Sequence, residues 1–179
     1  MTTSTHAVNG QAAQTPDLAT NKDVIRRWFA AMERGSLEEV QAYWAEDALN
    51  YGSARPGLRL PSGGEGIGLI AQMLRTAFPD RRWEIDDIIA EGDLVACRMT
   101  VSGTFGARPE RPPFAEPPDS PGVESTHLVD PLATGKPYSV KHMHIFRIAN
   151  GKIAEHWAAR DDLSLLLQLG HSLAVTSGD

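Results

Sequence analysis

Cysteine is nearly absent from this chain: its 179 residues include only one, Cys97. An internal disulfide framework is therefore excluded, and a reducing, cytoplasmic setting is expected. Cys97 sits in the apolar run LVACRM and reads as a core thiol rather than a nucleophile. Basic charge is also scarce, with 17 Lys and Arg against 23 Asp and Glu and a formal net charge of −6. Basic residues come singly or in pairs such as Arg26-Arg27 and Arg81-Arg82, so neither nucleic acid nor an anionic membrane is expected as a partner. No apolar run approaches the roughly 20 residues needed to cross a bilayer. The first twenty residues lack the basic start and apolar stretch of a signal peptide, and residues 1–20 and 173–179 are expected to be tails. What remains, 41% hydrophobic and 22% charged, has the composition of an ordinary globular domain, expected over 21–172.

The pattern along that domain changes once. Thr20 and Asp23 form a capping-box-like opening to a helix whose apolar face is Val24, Ile25, Trp28, Phe29 and Met32, ended by Gly35. The segment Ser36–Glu39 (SLEE) is a full capping box and starts a short second helix running through Val40 and Trp44. Ile67, Ile70, Met73, Leu74 and Ala77 mark a third helix, stopped by Pro79. From Trp83 the chain reads as strands: one pair joined at Glu91-Gly92-Asp93, and a later pair joined at Asn150-Gly151, a strong hairpin signal. Between the pairs, residues 106–136 hold seven of the twelve prolines and no periodicity, and read as an insert. Helices first and antiparallel strands after give an α+β domain with the helices on one face of the sheet.

A two-residue turn at Asn150-Gly151 pairs Ala149 with Lys152. Continued without interruption, that register sets His144 opposite Trp157 and His142 opposite Ala159. Alternation then places His142, His144, Phe146, Glu155, Trp157 and Asp161 on one face, with His156 and Arg160 on the other. A carboxylate among apolar side chains is costly to ionise, so Asp161 is expected to have a raised pKa and to exchange protons with the neighbouring imidazoles. The competing reading makes Asp161 the cap of the helix in LSLLLQLG. With His156 on the opposite face, the two histidines lack a third imidazole; Asp161 or Glu155 could stand in for it, but no metal is expected.

Four stretches carry a resemblance: FPD (Phe78–Asp80), AEGDLVACR (Ala90–Arg98), IFRIANGKIAEHW (Ile145–Trp157) and DDLSLLLQLG (Asp161–Gly170). In these the chain resembles the SnoaL-like polyketide (ester) cyclases of the nuclear-transport-factor-2-like superfamily, over about residues 21–170. The resemblance implies a cone in which three N-terminal helices close over a curved antiparallel sheet around a deep apolar pocket. It also implies a homodimer, no cofactor, and a general acid/base aspartate at the position of Asp161. A histidine on the preceding strand, His142 or His144, would assist it. Tyr51 stands where many relatives have a histidine after a DxxxD-like segment, and Gly103-Thr104-Phe105 stands where many have GTH, so the substrate or the reaction differs from theirs.

The function expected is cofactor-independent ring closure or isomerisation of a polyketide-like or other apolar secondary metabolite. Asp161, His144 and His142 are the expected catalytic residues. Tyr51, Arg98, Trp157 and Met143 are the expected substrate contacts. A limonene-type epoxide hydrolase, whose site Asn50, Tyr51, Arg98 and Asp161 partly echo, is the first alternative, weakened by Thr100 where a second acid would stand. A non-catalytic small-molecule-binding or protein-interaction domain is the second.

Overall fold

The computed structural model describes residues 17–53, 60–106 and 135–170. The expected tails, apart from Asp17–Thr20, and the body of the 106–136 insert lie outside the described residues. Helix α1 (Leu18–Arg34) starts ahead of the anticipated Thr20. Its cap is Asp17, whose carboxylate accepts hydrogen bonds from the backbone N–H groups of Ala19 and Thr20. Ser36 caps α2 (Leu37–Ala42) by accepting from the Glu39 N–H at 3.1 Å, as the SLEE pattern requires. That helix stops short of Trp44. Trp44 instead opens a strand that periodicity did not reveal, β1 (Trp44–Asn50), followed by a 3-10 turn, Tyr51–Ser53. Helix α3 runs from Gly63 to Ala77, halted by Pro79.

The sheet is completed by β2 (Arg82–Glu91), β3 (Leu94–Thr104), β4 (Pro137–Ala149) and β5 (Lys152–Arg160), with α4 (Asp162–Gln168) after it. Strand order is β1-β5-β4-β3-β2, with β1 parallel to β5 and all other pairs antiparallel. Alternation along β3 and β4 sends Val95, Cys97, Met99 and Val101, with Tyr138, Val140, His142, His144 and Phe146, to one buried face. Against that face α1 lays Ile25, Trp28, Phe29 and Met32, each at most 5% exposed. The result is the mixed α+β arrangement expected, with a five-stranded sheet and helices on one side.

The Asn150-Gly151 turn is as expected, with both residues at positive φ (52° and 72°) and Ala149 opposite Lys152. The register beyond it is not. Ile148 pairs with Ile153 but Arg147 pairs with Glu155, so Ala154 is an extra residue on β5. Every later residue of β5 is thereby moved to the face opposite the one an uninterrupted ladder gives. His156 and Arg160 join His142, His144 and Phe146 inside, and Trp157 goes to the outer face opposite Ile145.

Helix α3 docks on β1 through a glycine. Gly63 has φ +62°, and a Cβ there would lie 2.3 Å from the Glu46 carbonyl oxygen and 2.6 Å from that of Ala45. Gly92 has a similar φ, +57°, with nothing within 4 Å. Gly92→Ala should therefore cost only the backbone strain, about 1 kcal/mol. Gly63→Ala adds an immovable backbone clash and should cost at least about 2 kcal/mol more. Urea denaturation of the two variants checks the difference; equal losses would mean α3 does not rest on β1 this closely.

Candidate functional site: a histidine ladder in the interior

The bulge assembles a line of polar groups on the inner face that would otherwise be split between two faces. Asn50, at the end of β1, sits beside His156, and its Oδ1 lies 2.9 Å from His156 Nδ1. His156 Nε2 lies 2.8 Å from His144 Nδ1. The His144 ring is stacked on that of His156, 5.1 Å between centroids, and lies 5.6 Å from that of His142. Trp28, Phe29, Trp83 and Phe146 surround the line with ring contacts between 4.5 and 6.4 Å. The three imidazoles are 2–5% exposed.

These contacts restrict the protons. If Asn50 Oδ1 accepts from His156 Nδ1–H, His156 Nε2 must accept from His144 Nδ1–H, and His144 Nε2 is left with a bare lone pair. Turning the Asn50 amide over reverses each donor and gives His144 Nε2 a hydrogen instead. Either way His144 Nε2 is buried without a hydrogen-bond partner, and so is His142 Nδ1. Native interiors rarely leave such groups unmet, and two imidazole nitrogens on one face, within one hydrogen-bonded cluster, make this the candidate site.

Burial, first of all, keeps the imidazoles neutral. It lowers the pKa of His142 and of His144 to about 3, aided by the positive charges of Arg81 and Arg160, and holds His156 well below the usual histidine range. Cys97, paired across the sheet with His144, has its thiol pushed up to about 12 by the same burial and is inert as a nucleophile.

The other expected site residues are elsewhere. Asp161 is exposed and caps α4, accepting from the Ser164 N–H at 3.0 Å. Its pKa is lowered by hydrogen bonding to Ser164, not raised. The expected buried carboxylate on the face of His142 is corrected on both counts, because the bulge turns its side of β5 outward and the helix start claims its oxygen. Arg98 is on the outer face in ion pairs with Asp86 and Asp87, at 3.0 and 2.7 Å. Tyr51 stacks on Trp157 at 5.5 Å, also away from the histidines, and Met143 is 55% exposed on the outer face. Of the expected contacts, therefore, only His142 and His144 meet inside. Asn50, expected only as an echo of an epoxide hydrolase site, lies with them, while His156 and the aromatic wall of Trp28, Phe29 and Trp83 were missed. A Gly-Lys-Ile-Ala start to β5 gives no sign of the bulge that brings His156 in.

The expectation that His156 could not join a metal set also fails, since three imidazoles now share one face. Their spacing is that of a hydrogen-bonded pair: two nitrogens on one zinc lie roughly 3.3 Å apart, farther than the 2.8 Å found between His144 and His156. Among the described residues no group of three or more His, Cys, Asp or Glu side chains is arranged to hold a metal.

Residues 25–156 match the model of the SnoaL-like domain, and the chain belongs to that family. It is 26% identical over 165 residues to aklanonic acid methyl ester cyclase DnrD of Streptomyces peucetius, covering 90% of this chain and 98% of that one. Among solved structures it superposes on AclR of Streptomyces galilaeus, assigned as a hydroxylase, with a TM-score of 0.64, 25% identity and coverage of 86% and 98%. IdmH of Streptomyces antibioticus, assigned as a polyketide cyclase, gives a TM-score of 0.60 at 28% identity, with coverage of 84% and 99%. An LEH-like epoxide hydrolase of M. tuberculosis shares the fold alone, at 13% identity and a TM-score of 0.58, with coverage of 86% and 92%. With these relatives the chain is an enzyme of the SnoaL-like type.

The neutral histidines make stability depend on pH in a definable window. In the unfolded chain each gains a proton below about pH 6.5, while His142 and His144 in the folded chain do so only near pH 3. The unfolded state therefore binds more protons between those values, and stability falls as pH is lowered, by about 1.4 kcal/mol per pH unit for each histidine. Asp17, Glu38, Asp80, Asp86 and Asp161, whose pKa values are also lowered, add their own loss only as pH approaches the ordinary carboxylate range, 3.8 for Asp and 4.5 for Glu. Unfolding free energies measured between about pH 6.5 and 5.5 thus report the histidines. His144→Phe should reduce the slope there by about a third; an unchanged slope would show that His144 is free to protonate in the native state.

Proposed function

We propose that this protein closes a ring within a polyketide-like substrate by proton transfer at the inner face of the sheet. The observation that carries the reading is the buried, unpartnered Nε2 of His144 at the end of the Asn50–His156–His144 line. The cyclase names of relatives covering nearly the whole chain support it. Ring closure by carbon–carbon bond formation needs a proton taken from an acidic carbon and an oxygen anion stabilised as the new bond forms. The line can present a lone pair or an N–H at the same atom, because its two proton arrangements are both neutral. A neutral imidazole donating to a developing oxyanion is an established electrophile, and burial favours the neutral form here. The aromatic walls would hold a flexible chain in its cyclising conformation, which supplies much of the rate.

Asp161 gives a second reading of the same reaction. Its lowered pKa keeps it ionised at neutral pH and so able to act as a base, and it occupies the aspartate position of the family resemblance. The epoxide hydrolase alternative gains less support, since Asn50 lies inside while Tyr51 and Arg98 lie on the outer face.

The two readings separate by substitution. His144→Gln should lower turnover of a polyketide methyl ester by about a hundredfold or more, whereas Asp161→Asn, an equivalent cap, should change it by less than about threefold. The reverse pattern would move the chemistry to Asp161. Retention of turnover in both variants would overturn the acid/base reading altogether.

The homodimer is proposed to form through the outer sheet face, where Met143, Ile145 and Leu49 are 55%, 44% and 48% exposed beside the Tyr51–Trp157 stack. Ile145→Lys should convert the dimer to monomer in sedimentation velocity, and an unchanged sedimentation coefficient would exclude this face.

A further inference from the structure

Asn50 ends the inner line and is the one member of it that cannot titrate. The parallel ladder of β1 and β5 sets it opposite His156. Two residues on, the buried Gly52 lies against the same imidazole. A Cβ at Gly52 would fall 2.7 Å from His156 Cε1 and 3.1 Å from its Nδ1, with Ala158 Cβ at 2.9 Å. Gly52 has no positive φ, so glycine is needed there for room rather than for a backbone angle. On its other sides the His156 ring stacks on Phe146, 4.5 Å between centroids and 6° between planes, and meets Trp28 and Trp44 edge-on at 6.2 and 6.0 Å. The ring is thereby held with Nδ1 toward Asn50 and Nε2 toward His144.

The atom of Asn50 that faces His156 is Oδ1, which can only accept. That arrangement strands a lone pair at His144 Nε2, whereas the reversed amide strands an N–H there. Buried N–H groups without an acceptor are the rarer of the two in native interiors. A carboxylate in place of the amide would also order the hydrogens, but it would favour a charged imidazole beside it. The amide orders them while adding no charge.

We propose that Asn50 is a positioning residue that decides which nitrogen of His144 carries the hydrogen: by accepting from His156 Nδ1–H it fixes His144 as the Nδ1–H form, with a lone pair at Nε2. The inference rests on the ring-closing reading for its consequence, and it adds the order of events. His144 starts as the base. Its Nε2 takes the proton of an acidic carbon, and the electron pair of that C–H bond forms the new carbon–carbon bond to a carbonyl carbon. The carbonyl π pair passes to its oxygen, which then receives the proton from Nε2. The starting imidazole is restored and no net proton is exchanged. Asn50 touches no reacting atom in this sequence and acts through His156.

Two-bond 1H–15N correlation spectra of protein labelled with 15N-histidine, recorded at pH 8, read the hydrogen on each ring nitrogen directly. In the wild type, His144 and His156 should each carry hydrogen on Nδ1 alone. Asn50→Leu removes the acceptor and should leave a mixture of both forms at both rings. Its kcat on a polyketide methyl ester should fall in proportion to the share of His144 that leaves the Nδ1–H form, about twofold for an even mixture, with KM unchanged. Asn50→Asp, which can only accept at this pH, should show the single form again. A merely structural role for Asn50 would lower the melting temperature of both variants and leave the hydrogens where they were. Hydrogen on Nε2 of wild-type His144, or a single Nδ1–H form that survives Asn50→Leu, overturns the proposal, and the first of these needs no variant to fold. Turnover that survives His144→Gln would sink the ring-closing reading and leave the hydrogen order standing. Turnover lost in that variant, with wild-type His144 in the Nε2–H form, would sink this inference alone.

Discussion

One extra residue, Ala154 in β5, decides which side chains the interior receives. A strand has only two faces, so a single insertion exchanges the inward and outward sets for every residue beyond it. Here it brings His156 inside to meet His144 and Asn50, and sends Trp157 out to stack on Tyr51. Without it the interior would receive an indole where it now has a hydrogen-bonded imidazole. The inner polar line and the Tyr51–Trp157 stack on the outer face both depend on that one irregularity.

The histidine line is a compromise between solvation and chemistry. Three imidazoles at 2–5% exposure would be expensive to charge, and they avoid the expense by staying neutral and exchanging hydrogens with one another. What is left over is a pair of unpartnered nitrogens, the sort of deficit a packed interior tolerates only where something else will fill it. The arrangement makes the fold progressively less stable as pH falls below the range where free histidines gain a proton.

Where local chemistry dictates structure, the sequence was readable. Ser36 and Glu39 announced α2, Pro79 ended α3, and Asn150-Gly151 set a hairpin turn whose first pair is the one expected. The order of helices and strands gave the α+β class, and the quoted segments gave the family that the chain belongs to. Two kinds of information were not local. Strand β1 carries Glu46 and Asp47 amid its apolar residues and is recognised only by its parallel pairing with β5. The bulge follows from how β5 packs between β1 and β4, and no residue near Ala154 advertises it. The expected cluster around Asp161 failed because a correct starting register was carried past that bulge unshifted, and because the start of α4 engages the carboxylate.

The connection between β3 and β4 has a consequence for how this fold diversifies. Thr104 pairs with Pro137, and beyond them Phe105 N–H donates to the Lys136 carbonyl at 3.0 Å and Gly135 N–H to the Phe105 carbonyl at 2.6 Å. The chain thus departs and returns through a neck the sheet has already closed. For a flexible segment, the entropy of joining its ends grows only logarithmically with length, about 0.6 kcal/mol for each doubling. Here the two ends are brought together by strand pairing that the core supplies in any case. Genetic insertions at this neck are therefore nearly free of thermodynamic selection, and lineages can trade whole segments there while the interior they inherit stays the same.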